Sequence, residues 1–174
     1  MGMITRRVSV TLAAFLLSAV VGTIAAIPAQ SAVQAQSAVP AGSGTPGALT
    51  GIRTGAHPTF DRIVLDFPGG TPQVRTARFV DKLVRDGSGQ VEPLPGAAFA
   101  EVSMFGGSTY DANGHPTYLG PRKFSTPGLH NVMAIAITGD FEGYLTIGIG
   151  MRRQTSLNVF TLTNPARVVI DVGS

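Results

Sequence analysis

The chain contains no cysteine and no tryptophan, and only two of its 174 residues are lysine. Without cysteine there is no disulfide, no thioether lipid anchor, no thiol nucleophile and no thiolate metal site. Without tryptophan the largest flat surface for stacking on sugar rings is missing. One-sided charge is absent as well. Thirteen Lys and Arg face ten Asp and Glu, and setting aside Arg6 and Arg7 at the amino end leaves eleven against ten. A balance so close to neutral lacks the basic stripe of a nucleic-acid binder. Histidine occurs only at His57, His115 and His130. Zinc needs three or four ligands in one place, nothing in these spacings gathers them, and neither a metal site nor a cofactor is predicted. Sustained helical periodicity is missing from residue 85 onward.

What is present begins with one long apolar run. Arg6 and Arg7 precede Val8 to Ile27, a stretch without charge and rich in Val, Leu, Ala and Ile. Twenty helical residues would span about 30 Å, enough for a bilayer. The basic start, apolar middle and small-residue end also fit a secretory signal peptide. The sequence predicts a signal peptide over 1–31, with the mature chain starting between Gln30 and Ala38. An uncleaved anchor is the alternative, and the membrane is then touched only through this segment. Ser9 interrupts a twin-arginine reading. Both main readings place the remainder outside the cytoplasm, since Arg6 and Arg7 hold the amino end inside. Residues 32–48 are almost all Ala, Gln, Ser, Pro, Gly and Val. With no charge and no aromatic ring they bury too little apolar surface to offset ordering, and they read as a flexible spacer. Residues 49–174 are the size of one domain.

Within that domain the dominant period is two. Ile63, Leu65 and Phe67 alternate with Arg62, Val64 and Asp66. Met133, Ile135 and Ile137 alternate with Ala134, Ala136 and Thr138. Leu145, Ile147, Ile149 and Met151 alternate with Tyr144, Thr146, Gly148 and Gly150. The last two runs, joined through Gly139-Asp140-Phe141-Glu142, read as an antiparallel hairpin. Further strands are expected at about 50–54, 98–105, 156–162 and 166–172. The segment 73–78 reads as strand, and the helically spaced Phe79, Val80, Leu83 and Val84 after it as a short turn. Many short strands separated by Gly and Pro signals predict an all-β fold, a sandwich of short antiparallel strands.

Two hexamers nearly repeat each other: Arg62-Ile63-Val64-Leu65-Asp66-Phe67 and Arg167-Val168-Val169-Ile170-Asp171-Val172. As antiparallel neighbours in register they set Arg62 opposite Asp171 and Arg167 opposite Asp66. Direct ligand contact by these arginines is the competing reading. Asp140 and Glu142, two residues apart, resemble a glycosidase carboxylate pair in spacing. Their place in a hairpin connection, with no aromatic cleft adjacent in sequence, favours turn chemistry. Gly148 and Gly150 leave one strand face bare, for a closely packed backbone or a flat ligand. Arg122-Lys123 and Arg152-Arg153 are basic pairs able to meet carboxylates. No G-x-S-x-G nucleophile turn occurs, and no catalytic residue is predicted.

The order "GAHPTFDRIVLDF", "DGSG", "TGDFEGYLTIGIGM" and "NPARVVIDV" resembles the AMIN-like domain of secreted actinobacterial proteins, a family related to the AMIN domains of cell-wall amidases and secretins. The resemblance covers about residues 49–173. It implies a β-sandwich acting as an exported envelope-targeting or peptidoglycan-binding module without catalysis. Its partner would be a cell-wall polymer or a wall-associated protein. The candidate ligand-contacting residues are His57, Asp61, Arg62, Asp140, Glu142, Arg152 and Arg153. The alternatives are a wall hydrolase whose triad is not visible in sequence and an adaptor that binds envelope proteins alone.

Overall fold

Alternating apolar residues dictate extended chain, and the computed structural model, which describes residues 46–174, contains eleven strands. The expected signal peptide over 1–31 and most of the expected spacer over 32–48 lie outside the described residues. In chain order the strands are β1 (Gly47–Ala48), β2 (Gly51–Ala56), β3 (Phe60–Asp66), β4 (Gln73–Val80), β5 (Ala98–Phe105) and β6 (Gly107–Ser108). Then follow β7 (Lys123–Ser125), β8 (Val132–Phe141), β9 (Tyr144–Met151), β10 (Leu157–Thr163) and β11 (Ala166–Gly173). Four strands form one antiparallel sheet in the order β10-β11-β3-β2, and five form another in the order β4-β5-β9-β8-β7. β1 and β6 make a separate two-stranded parallel pair.

The inner faces of both large sheets supply one core. Ile63, Leu65 and Phe67 of the β3 run and Val168, Ile170 and Val172 of β11 meet Val102, Met104, Ile147 and Ile149 from the other sheet. Each of these side chains is removed from water, at about 25 cal/mol per Å² of apolar surface. The all-β sandwich follows from that shared core.

The two hexamers lie side by side. Arg62 stands opposite Asp171, Ile63 opposite Ile170 and Asp66 opposite Arg167. The Arg62 guanidinium donates twice to Asp171, at 2.7 Å each. At the other end the register does not become a bond. Arg53 on the neighbouring β2 takes the Asp66 carboxylate instead, at 2.7 and 2.8 Å. That bidentate bond holds the Asp66 carboxyl below its ordinary pKa, while Arg167 adds only a longer-range attraction. Arg167 Nε donates to the Pro165 carbonyl at 3.3 Å. Two arginines flank one carboxylate, and the one that reaches it through a fork excludes the other.

Three further expectations are corrected. Gly47 and Ala48 fall within the expected spacer, yet they pair with Gly107 and Ser108. Leu49, fully buried beside them, anchors that pairing in the core. Phe79 and Val80 continue β4 rather than turning, because Phe79 pairs with Ala100 and packs on the core. The β8–β9 connection is only Glu142-Gly143, with φ of 49° and 77°, as a type I′ turn requires. Asp140 therefore belongs to a strand and does not cap a turn.

Residues 81–97, between β4 and β5, fold back over the outer face of the five-stranded sheet. Leu83 and Leu94 pack there on Ala134 and Ala136, with Val80 and Phe99 alongside. The glycine stripe makes this close approach possible. A Cβ on Gly150 would lie 2.3 Å from the Pro95 carbonyl oxygen, and one on Gly148 would lie 2.9 Å from Leu83. The covering loop occupies the stripe, through the Pro95 backbone over Gly150 and the Leu83 side chain over Gly148.

Candidate functional site

The loop covers only part of that outer face. Toward the β8–β9 turn the strands stay uncovered and bring together side chains from distant parts of the chain. Phe105 of β5 stands opposite Tyr144 of β9, which stands opposite Phe141 of β8. Their exposures are 43%, 41% and 65%, high for large apolar residues. Phe105 and Tyr144 tilt against each other with ring centroids 5.1 Å apart. Arg75 lies at the β4 bulge, its guanidinium 5.4 Å from the Phe105 ring centroid, within cation–π range. The next cross-strand row places Thr76, Ser103 and Thr146 side by side. Beyond it, Arg78 donates to Glu101 at 3.1 Å.

Of the clefts that adjoin this strip, two border both Asp86 and Phe141. The smaller, about 360 Å³, is lined by Thr76, Arg78, Glu101, Ser103, Tyr144 and Thr146. The larger, about 560 Å³, lies between the covering loop and strands β7 and β8, with Arg85, Glu92, Arg122, Lys123 and Asp140 on its walls. Such volumes suit small ligands. The surface can stack rings, accept and donate through hydroxyls, and pair with charges of either sign.

The charged groups are held in place by specific partners. Glu92 is buried, bonded to the Arg85 guanidinium and, at 2.6 Å, to the Lys123 ammonium. The Arg85 bond first, and the Lys123 bond next, hold the Glu92 carboxyl below its ordinary pKa. Asp140 accepts from the Thr109 amide at 2.9 Å and from the Thr109 hydroxyl through the same oxygen. Asp86 accepts from the Thr146 hydroxyl at 3.1 Å. Gly139 makes room for it, since a Cβ there would collide with Asp86 Oδ2 at 1.6 Å.

The sequence-derived candidates separate into two groups. Asp140 and Glu142 sit beside this strip, each lining one of these two clefts. His57, Asp61, Arg62, Arg152 and Arg153 gather at or near the opposite end of the sandwich, where β3 starts and β9 stops. There Asp61 has no solvent exposure and accepts backbone N–H groups of His130, Asn131 and Val132 at 2.9, 2.6 and 2.9 Å. A carboxylate so enclosed staples β3 to β8 and offers nothing to a ligand. His57 stacks on Phe60 at 4.4 Å, and Arg62 lies between the Phe60 and Phe160 rings while bonded to Asp171. Arg152 Nε donates to the His130 carbonyl, and the Arg153 amide donates to the Asn131 side chain.

Sequence reading missed Phe105, Phe141 and Tyr144 as a group. The signal was the outward phase of each strand: these residues stand one position out of step with Met104 and Leu145. Among the described residues no group of three His, Asp or Glu is arranged to hold a metal. The side-chain partners of the His115 and His130 rings are Asp111 and Asp61, at 3.3 and 3.8 Å. No serine or threonine hydroxyl bonds to either ring among the described residues.

The model of the AMIN-like domain matches residues 47–174. No curated protein matches the chain, and no solved structure does. The family match runs from β1 through the last residue of the sandwich and covers most of the chain, which therefore belongs to the AMIN-like domain family.

Proposed function

We propose that this protein is an exported, non-catalytic module that binds the cell wall through the bare strip of its five-stranded sheet. The carrying observation is the exposed aromatic row Phe105–Tyr144–Phe141, bordered by the Thr76 and Ser103 hydroxyls and two clefts. Rings that stay half in water while the rest of the sheet is covered or packed are suited to stacking, and the Thr76 and Ser103 hydroxyls beside them to hydrogen bonding. Membership of the AMIN-like family supports the assignment to the envelope. Arg6, Arg7 and the apolar run Val8 to Ile27 support export. In this reading residues 1–31 are removed and 47–174 form the binding domain.

Sedimentation with purified peptidoglycan tests it. The protein is expected in the pellet, and Phe141→Ala with Tyr144→Ala is expected to leave most of it in the supernatant. Retention equal to the unsubstituted protein would refute the assigned surface. Muropeptide release above a no-protein control would refute the non-catalytic reading and favour a hydrolase. Amino-terminal sequencing of the extracytoplasmic protein tests export, with a start between Gln30 and Ala38 expected.

A further inference from the structure

We infer that the larger cleft, between the 85–92 turn of the covering loop and strands β7 and β8, binds the zwitterionic end of a peptide, one carrying both a free ammonium and free carboxylates. The inference rests on the wall-binding reading and names the part of the wall that this cleft would take.

The walls of the cleft carry both signs. Arg85, Arg122 and Lys123 line it together with Glu92, Asp86, Asp140 and Phe141. Each Glu92 oxygen is bonded to one cation, but neither cation spends all its donors on Glu92. Arg85 uses only Nε toward it, which leaves the other guanidinium donors, and Lys123 keeps a proton beyond its bonds to Glu92 and, at 3.5 Å, the Pro93 carbonyl. Arg122 makes no ion pair among the described residues and is exposed. These groups present spare donors to a carboxylate. Asp86 lies against Gly139, the neighbour of Asp140, and the two carboxylates each accept through Oδ2, from Thr146 and Thr109, and keep Oδ1 for a cation.

The charge balance discriminates among ligands. A polyanion drawn to Arg85, Arg122 and Lys123 would bring phosphates against Asp86 and Asp140, and like charges at close range are repelled. A simple cation would meet the arginines. A neutral sugar would leave both sets of charges partly desolvated without partners. A ligand with one ammonium and nearby carboxylates satisfies both sets of charges through charge-assisted hydrogen bonds. Its aliphatic stem would lie against Phe141. The cleft volume of about 560 Å³ is within the range that holds such a ligand.

The test is a titration of the natively purified protein, followed by amide chemical shifts and calorimetry. The probe is N-acetyl-L-alanyl-D-glutamyl-L-lysine, which has one ammonium and two carboxylates. Binding is expected, with shifts at Gly87, Ser88, Gly139 and Phe141. Acetylating the lysine or converting the carboxylates to amides is expected to weaken it at least tenfold. Arg122→Glu and Asp86→Asn are each expected to weaken it tenfold or more, while Arg152→Ala leaves it unchanged. The same amide spectra report whether each variant is folded.

Equal affinity for the acetylated or amidated peptide overturns the inference, as does stronger binding of chitotriose or polyphosphate in this cleft. No binding of the tripeptide by a protein that still sediments with wall overturns the inference and spares the wall-binding reading. Tripeptide binding by a protein that ignores intact wall does the reverse.

Discussion

Where β3 begins, Asp61 is fully buried and all three of its hydrogen bonds go to the backbone of residues 130–132. Beside it the Asn131 amide donates to the Arg153 carbonyl, the Thr155 hydroxyl and the Gly173 carbonyl, and its oxygen accepts from the Arg153 amide. At the far end of the ten-residue β8, roughly 30 Å away at the rise of a strand, Asp140 uses one oxygen and lies beside exposed rings. Both ends carry an aspartate and exposed arginines nearby, yet only the aspartate beside the β8–β9 turn has capacity left for a ligand. Polar groups that are saturated internally tie the sandwich together, and polar groups that are half satisfied at a cleft are available for binding. Residue type alone does not separate the two cases.

Asp61→Ala should break the comparison most severely. It leaves three backbone N–H groups without their acceptor at a junction between the sheets, and a loss of about 3 kcal/mol or more is expected from urea unfolding. If stability is nearly unchanged, the Asp61 end is not the structural one. Gly150→Val should come next. Its side chain would displace Pro95 and lift the covering loop, at about 2 kcal/mol, with faster amide exchange in residues 91–97.

Glu92 sharpens the contrast through pH. Its carboxyl is held below the ordinary value, mainly by Arg85 and then Lys123. The stability it contributes is therefore present above the unfolded glutamate pKa of about 4.3 and is lost as pH falls through the lower folded value. Glu92→Gln should lower stability at pH 7 by about 1–2 kcal/mol and flatten its pH dependence below pH 5. An unchanged acid profile would contradict the role of this carboxylate. A smaller effect is expected at Arg62 and Asp171, where a double-mutant cycle should give coupling of about 0.2–1 kcal/mol for a partly exposed pair. The smallest change in stability, within about 0.5 kcal/mol, is expected for Phe141→Ala. Its exposed ring contributes little to the core, so the same variant should lose wall retention while melting almost normally. A large stability loss there would show that the two ends are alike.

Much of the sandwich was legible because burial on one face of a strand writes itself as period two. Ile63, Leu65 and Phe67 need no partner to be recognised as an inner face. The β3–β11 register was legible because two hexamers of matching pattern place opposite charges at both ends. β7 was not, since three residues between Pro121 and Pro127 carry too little periodicity. Nor was the exchange of Arg167 for Arg53 at Asp66, which depends on β2 arriving on the other side of β3. The candidate site was less legible still. Asp140 and Glu142 are visible in the sequence, but Phe105 is 36 positions from Phe141 along the chain.

By itself the sequence determined that residues from about 49 onward form short strands with one apolar face each, and that the two hexamers can lie in register. That information is local, because alternation and turn residues act within a few positions of one another. Only the tertiary structure decided which outward faces remain bare. Coverage depends on where residues 81–97 come to rest, and this is settled by Leu83 and Leu94 finding the shallow surface over Gly148, Gly150, Ala134 and Ala136. Packing of that kind is a property of surfaces assembled from distant segments, and it leaves Phe105, Phe141 and Tyr144 in water beside two clefts that no single stretch of the chain contains.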